Sequence, residues 1–273
     1  MRFFVPVAVL LAAGFAGAFS STPASAVSSC GRSGYSYAGF QAGAAAHGVR
    51  ADIVALGAPQ VESGHVAAWV GVGGPGQGAG GSDAWIQVGL ASFDGTESRL
   101  YFEVNRPGVG PRFSQVQGHV APGSRHRVAV LELFGHPGWW KVWVDGAAVS
   151  QPYFLPGSSG RWRPIATAET WDGGRRVCNL FSYRFGRVSV AGRGGAWRRF
   201  RSAYRFQDPG YRVLGSRHGF LARAVRPLPL PSSVVKAPEA APTPQPPAPQ
   251  PADTASQPAD APPTADAAGS TTG

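Results

Sequence analysis

Two runs of the chain alternate like strands and carry side chains able to do chemistry. In Trp162 to Gly174, WRPIATAETWDGG, alternation puts Ile165, Thr167, Glu169 and Trp171 on one face and Ala166, Ala168 and Thr170 on the other. A carboxylate between Thr and Trp in a strand of small residues is unusual for a purely structural position. Partial burial would raise its pKa and basic surroundings would lower it. In His65 to Leu90, HVAAWVGVGGPGQGAGGSDAWIQVGL, the residues Ile86, Val88 and Leu90 form an apolar face. Trp85, Gln87 and Gly89 form the other, so one amide and one indole look away from the core. Glu103, on the Tyr101/Glu103/Asn105 face of a third run, is a second carboxylate able to share that surface.

Other chemistries lack their patterns. Gly71 to Gly76 satisfies GxGxxG in form, but it carries Pro75 and leads into a strand instead of a phosphate-cradling helix. The six histidines show no close pair of the kind zinc favours, and they read as surface or hydrogen-bonded residues. No GxSxG elbow is present. No metal or cofactor is implied.

The elements that must position these residues read as all-β. Strand-like runs are expected at 66–72, 84–90, 99–105, 126–133, 139–145, 164–171, 181–190, 197–206 and 211–214. Turn chemistry at Asp94-Gly95, Asp145-Gly146, Asp172-Gly173 and Asp208-Pro209-Gly210 separates many of them. A short Ala-rich piece, Gln41 to His47, is the one candidate helix. The runs 66–72 and 84–90 form a hairpin whose nine-residue tip, Gly73 to Gly81, holds six glycines. Many short strands with Gly, Pro and Asp turns argue for an antiparallel sandwich or jelly roll.

The flanks differ in kind. Residues 1–26 have the form of a secretory signal peptide: Arg2, an apolar stretch from Phe3 to Phe19, and Ala24-Ser25-Ala26 before a mature start at Val27. No later run approaches the ~18 apolar residues of a spanning helix. Residues 27–226 make one sandwich domain. Residues 227–273 hold 13 of the 25 prolines and no aromatic residue, the composition of a disordered Pro/Ala-rich spacer. Cys30 and Cys178 are the two cysteines, an even count that fits one disulfide in an oxidising compartment. The expected location is secreted, with the tail reaching into a cell wall.

Setting aside Arg2, Lys236 and the four acids of the tail leaves 23 basic side chains against 11 acidic ones. Arginine concentrates in residues 192–226. That segment is suited to a polyanion, or else to edge strands guarded by charge.

From about Trp69 to Val190 the chain resembles the eqolisins, the glutamic peptidases, which are secreted enzymes with a concanavalin A-like β-sandwich. Trp69-Val70-Gly71-Val72-Gly73-Gly74 is similar to that family's WVGIDG, and Trp85-Ile86-Gln87-Val88-Gly89 to its ILQTG. Ala168-Glu169 lies where its AEW would, at a similar interval from Gln87. Tyr101-Phe102-Glu103 and Pro122-Gly123 fall between them in the expected order. Trp140 to Gly146, WKVWVDG, is also similar to strands of concanavalin-like lectins, a likeness of fold alone.

The resemblance implies that Glu169 acts as general base on a water and then as acid to the leaving amine. It implies that Gln87 donates its amide hydrogens to the developing oxyanion, and that the working pH is acidic. Trp69, Trp85, Tyr101, Glu103 and Trp171 are the expected substrate-binding residues. The chain departs from the family at Gly73, where the family has Asp, and at Thr170, where it has Trp. A second function stays open beside hydrolysis: a lectin-like module whose groove stacks the sugars of a cell-surface glycan. The expected partner is thus a polypeptide substrate or a glycan.

Overall fold

The computed structural model describes residues 34–93, 97–171 and 178–225. In chain order its strands are β1 (Tyr35–Ala42), β2 (Gly48–Ala55), β3 (His65–Gly74), β4 (Ala84–Ser92), β5 (Ser98–Arg106), β6 (Gly110–Val120), β7 (Arg125–Glu132) and β8 (Trp139–Val144). They continue as β9 (Ala147–Ala148), β10 (Tyr153–Phe154), β11 (Ile165–Trp171), β12 (Ser182–Ala191), β13 (Trp197–Arg199), β14 (Ala203–Gln207), β15 (Tyr211–Ser216) and β16 (Gly219–Ala224). Sheet A runs β14-β1-β11-β3-β4-β5-β6, and sheet B runs β10-β8-β7-β2-β12-β16-β15, with β9 on β8 and β13 on β12. All the pairings are antiparallel. The all-β sandwich expected from the sequence is what the chain adopts.

Period-two alternation builds the core. Ile86, Val88 and Leu90 on β4 and Val66, Ala68 and Val70 on β3 are fully buried. They share one cluster with Val49 and Ile53 of β2, Val128 and Val130 of β7, and Tyr183 and Phe185 of β12. Each large aliphatic side chain so placed contributes roughly 1.5–3 kcal/mol. The Asp145-Gly146 turn between β8 and β9 has both residues at positive φ, 50° and 89°, as a two-residue hairpin requires. Asp94-Gly95 and Asp172-Gly173 lie outside the described residues.

Several expectations need correction. Gln41 to His47 is no helix: β1 ends at Ala42, and the Ala42 N–H bonds to the Pro164 carbonyl. Strands β1, β2, β6, β9, β10 and β16 were not expected. The single run 197–206 is two strands on different sheets, β13 on β12 and β14 on β1. Phe200, 1% exposed, is buried at the crossing, and the Arg217 Nε donates to its carbonyl at 2.7 Å. Within the Arg-rich segment, β14 and β15 do lie at sheet edges. Among the described residues no helix is long and apolar enough to cross a membrane.

Candidate active site

The outer face of sheet A carries a cavity of about 530 Å³. Gln87 of β4 and Glu169 of β11 both line it, from either side of β3. On β3, Gly71 pairs with Gln87 and Ala67 pairs with Glu169. Small residues at these two positions leave the floor low. A Cβ at Gly71 would stand 2.8 Å from the Gln87 Cβ and push the amide aside. Gln87 is 8% exposed and Glu169 6%, so each reaches the cavity from a nearly buried position.

Neighbours fix these groups. The Gln87 Nε2 donates to the Tyr101 hydroxyl at 3.2 Å. Tyr101 stacks on Phe113 with ring centroids 5.0 Å apart. Glu103 sits beside Gln87 in the β4–β5 register and accepts the Trp85 Nε1–H at 2.7 Å. Burial raises the Glu103 carboxyl above its ordinary range, and the Trp85 hydrogen bond opposes the rise. Glu169 adds to it. The His65 Nε2 lies 3.6 Å from the Glu169 Oε1. Tyr37 pairs with Glu169 across β1 and β11, and burial, reinforced by Glu169, pushes its phenol strongly upward. Tyr35 and Tyr101 shift the same way for the same leading reason. All three phenols therefore stay protonated and able to donate at any ordinary pH.

Of the expected substrate-binding residues, Trp69, Trp85, Tyr101 and Glu103 line the cavity. Trp171 does not line it; its ring packs on Tyr35 at 4.7 Å. Sequence reasoning missed His65, Tyr35, Tyr37 and Phe113, which also line it, as does Thr167 on the face it shares with Glu169. Alternation along β3 was a usable signal for His65, which shares parity with Ala67 and Trp69. His47 and His126 are hydrogen-bonded, to Glu132 and Asp145. Cys30 lies outside the described residues, and Cys178 is buried.

The two departures from the family pattern have local causes. Gly73 has φ of 86°, and a Cβ there would strike the Ala84 carbonyl oxygen, so this backbone admits no Asp. Thr170 faces the core, fully buried, where its hydroxyl accepts from the Asn179 Nδ2 at 2.8 Å. The glycine-rich tip closes on itself. Gly76 N–H bonds to the Asp83 Oδ1 at 2.8 Å and the Trp162 Nε1 donates to the Gln77 carbonyl at 2.9 Å. Among the described residues no group of three or more His, Cys, Asp or Glu is placed to hold a metal ion. What the cavity offers is two carboxylates, an amide, phenols and an imidazole on apolar walls, the groups needed to move a proton and to receive an oxyanion.

No family model matches the chain, and no curated protein does. Solved structures do. Scytalido-glutamic peptidase with a peptide-based transition state analog is 16% identical, at a TM-score of 0.54, over 71% of this chain and 100% of that one. The same peptidase with a transition state analog inhibitor gives 15% and 0.51 over the same shares of the two chains. SCP-B, a member of the eqolisin family in complex with the tripeptide Ala-Ile-His, gives 14% and 0.50, again over 71% of this chain and 100% of that one. At these identities the likeness is one of architecture. The chain carries the β-sandwich fold of the glutamic peptidases.

Proposed function

We propose that the chain is an exported endopeptidase of the glutamic type. Glu169 takes a proton from a water as that water adds to the peptide carbonyl. The Gln87 amide donates to the oxygen on which negative charge appears. The proton held on Glu169 then passes to the leaving nitrogen as the C–N bond breaks. Tyr101 holds the Gln87 amide, and His65 sits against Glu169. One observation carries the reading. The amide and the carboxylate singled out by motif order, from strands that are not neighbours, both open into one cavity.

The test is cleavage of a denatured protein by the purified chain between about pH 2 and 7, beside Glu169→Gln and Gln87→Ala. Cleavage that both substitutions abolish supports the reading. No cleavage at any pH, or undiminished cleavage by Glu169→Gln, overturns it.

A second reading rests on the aromatic walls. Tyr35, Tyr37, Trp69, Trp85 and Phe113 line the same cavity, and flat apolar rings suit the faces of sugars. Retention on insoluble glycans without any hydrolysis would favour this lectin-like role. Export rests on the leader at residues 1–26, and with it goes a Cys30–Cys178 disulfide. Non-reducing peptide mapping of the secreted chain tests both, since it reads the new N-terminus and the cross-link together. Cell fractionation tests whether the Pro/Ala-rich residues 227–273 hold the protein in a wall.

A further inference from the structure

The outer face of sheet B lies across the core from the cavity and carries a band of arginines. Core-facing residues fix the parity: Ile53 on β2, Val128 on β7, Phe185 on β12, Ala222 on β16 and Val213 on β15 all point inward. Arg125 and Arg127 of β7, Arg184 of β12, Arg223 of β16 and Arg212 of β15 therefore project outward, Arg187 joins them through the bulge that follows Gly186, and all six are exposed. The register gathers them. Arg125, Val54 and Arg184 form one row, and Arg127, Asp52 and Gly186 form the next. Arg212 pairs directly with Arg223, which pairs on its other side with Ser182. The band crosses five adjacent strands, about 19 Å at ordinary strand spacing.

Countercharge is scarce. Asp52 accepts from the Arg127 Nε at 2.8 Å and lies 3.6 Å from the Arg187 Nε, so one carboxylate serves two guanidiniums. Asp145 bonds the Arg127 N–H and His126. Among the described residues no carboxylate pairs with Arg125, Arg184, Arg212 or Arg223. Like charges set directly opposite on neighbouring strands destabilise a sheet. Protection of an edge would explain Arg212 on β15 but not the arginines of β7 and β12, which are interior strands.

We infer that this band is a binding site for a linear acidic polysaccharide, whose carboxylates lie across the strands and pair with the guanidinium forks. Two observations choose this occupant among polyanions. The outward positions of the five strands hold no aromatic side chain on which nucleobases could stack, and Trp197 and Trp143 on the flanking strands already carry a cation over the ring, Arg50 at 4.4 Å and Lys141 at 5.8 Å. The exposed aromatics Trp139 and Phe154 stand beyond the Glu132 end of β7, whereas Arg125 and Arg127 open that strand. Within the band the exposed apolar side chain is Leu214, which pairs with Leu221; no aromatic joins it, so the band has no aromatic anchor for a bilayer. This site is independent of the hydrolytic reading.

The full chain is titrated with polygalacturonate, and with neutral dextran of similar size, at about 50 mM and about 200 mM salt. Polygalacturonate should bind, more weakly at the higher salt, and dextran should not. Arg184→Gln/Arg223→Gln should weaken polygalacturonate binding at least about tenfold and flatten its salt dependence. Arg201→Gln/Arg205→Gln removes the same charge elsewhere and should change binding by less than about twofold. Unchanged thermal unfolding of both pairs shows that they fold. Absence of binding, equal loss in the two pairs, or no loss in the first overturns the site. Tighter binding to oligothymidylate or to phosphatidylglycerol vesicles than to polygalacturonate overturns the choice of occupant.

Discussion

The His65 Nε2 stands 3.6 Å from the Glu169 Oε1, with the imidazole set against the rings of Tyr35 and Phe93. That separation is longer than a hydrogen bond. His65→Phe keeps an aromatic ring between Tyr35 and Phe93 and removes both nitrogens. On the hydrolytic reading it should lower kcat about tenfold with little change in KM, whereas Glu169→Gln should cost about 10²- to 10⁴-fold. Steady-state kinetics on one peptide substrate separates the two cases. A His65→Phe enzyme with unaltered kcat removes the imidazole from the mechanism.

Tyr101→Phe withdraws the hydroxyl that holds Gln87 and leaves its stacking on Phe113 intact. The amide then loses its fixed direction. Turnover should fall about five- to tenfold, the size of one hydrogen bond, and Gln87→Ala should fall about 10²- to 10³-fold. Equal losses in the two variants would mean that Tyr101 does more than hold the amide.

Glu103 carries a pH signature. Burial raises its carboxyl in the folded protein, so the native state holds that proton more tightly than the unfolded chain does. Its contribution to stability is complete below the ordinary Glu range of about pH 4.3 and fades as pH rises through the raised native value. Glu103→Gln should flatten that part of the curve. Trp85→Phe removes the N–H that favours the charged form and should move the loss to still higher pH. Thermal unfolding across this range checks both, and parallel curves for wild type and Glu103→Gln would refute the assignment.

Gly89 lies in the sheet beneath Trp69. A Cβ there would strike the Ala68 carbonyl oxygen and come within 2.7 Å of the Trp69 Cα, both backbone atoms that cannot swing away. Gly89→Ala should destabilise by about 1–3 kcal/mol. Urea unfolding reads this directly, and a midpoint equal to wild type would show that the strands part more easily than their register implies.

Period-two alternation made the faces of β4 and β11 legible in the sequence, because large apolar residues at Ile86, Val88 and Leu90 mark one side without ambiguity. The same rule failed at β1, YSYAGFQA, where alanine fills two of the three core positions, and at β2, GVRADIVA, where alanine alternates with Val49 and Ile53, and both leave weak contrast. It failed at β6 because that edge strand exposes much of both faces. Tyr35 and Tyr37 were lost with β1. Their place beside Glu169 comes from a pairing between distant parts of the chain, which no local pattern encodes. The arginine band escaped notice for a similar reason. Its members are scattered from Arg125 to Arg223, and only the register of sheet B assembles them.

The passage from β13 to β14 reaches as far as the groove. Phe206 of β14 forms part of the cavity wall, and Asp208, just past it, accepts the backbone N–H of Tyr37. Phe200, buried between β13 on sheet B and β14 on sheet A, thereby ties one side of the cavity to the other layer. Loosening that stitch should widen the cleft from behind, with no catalytic atom replaced.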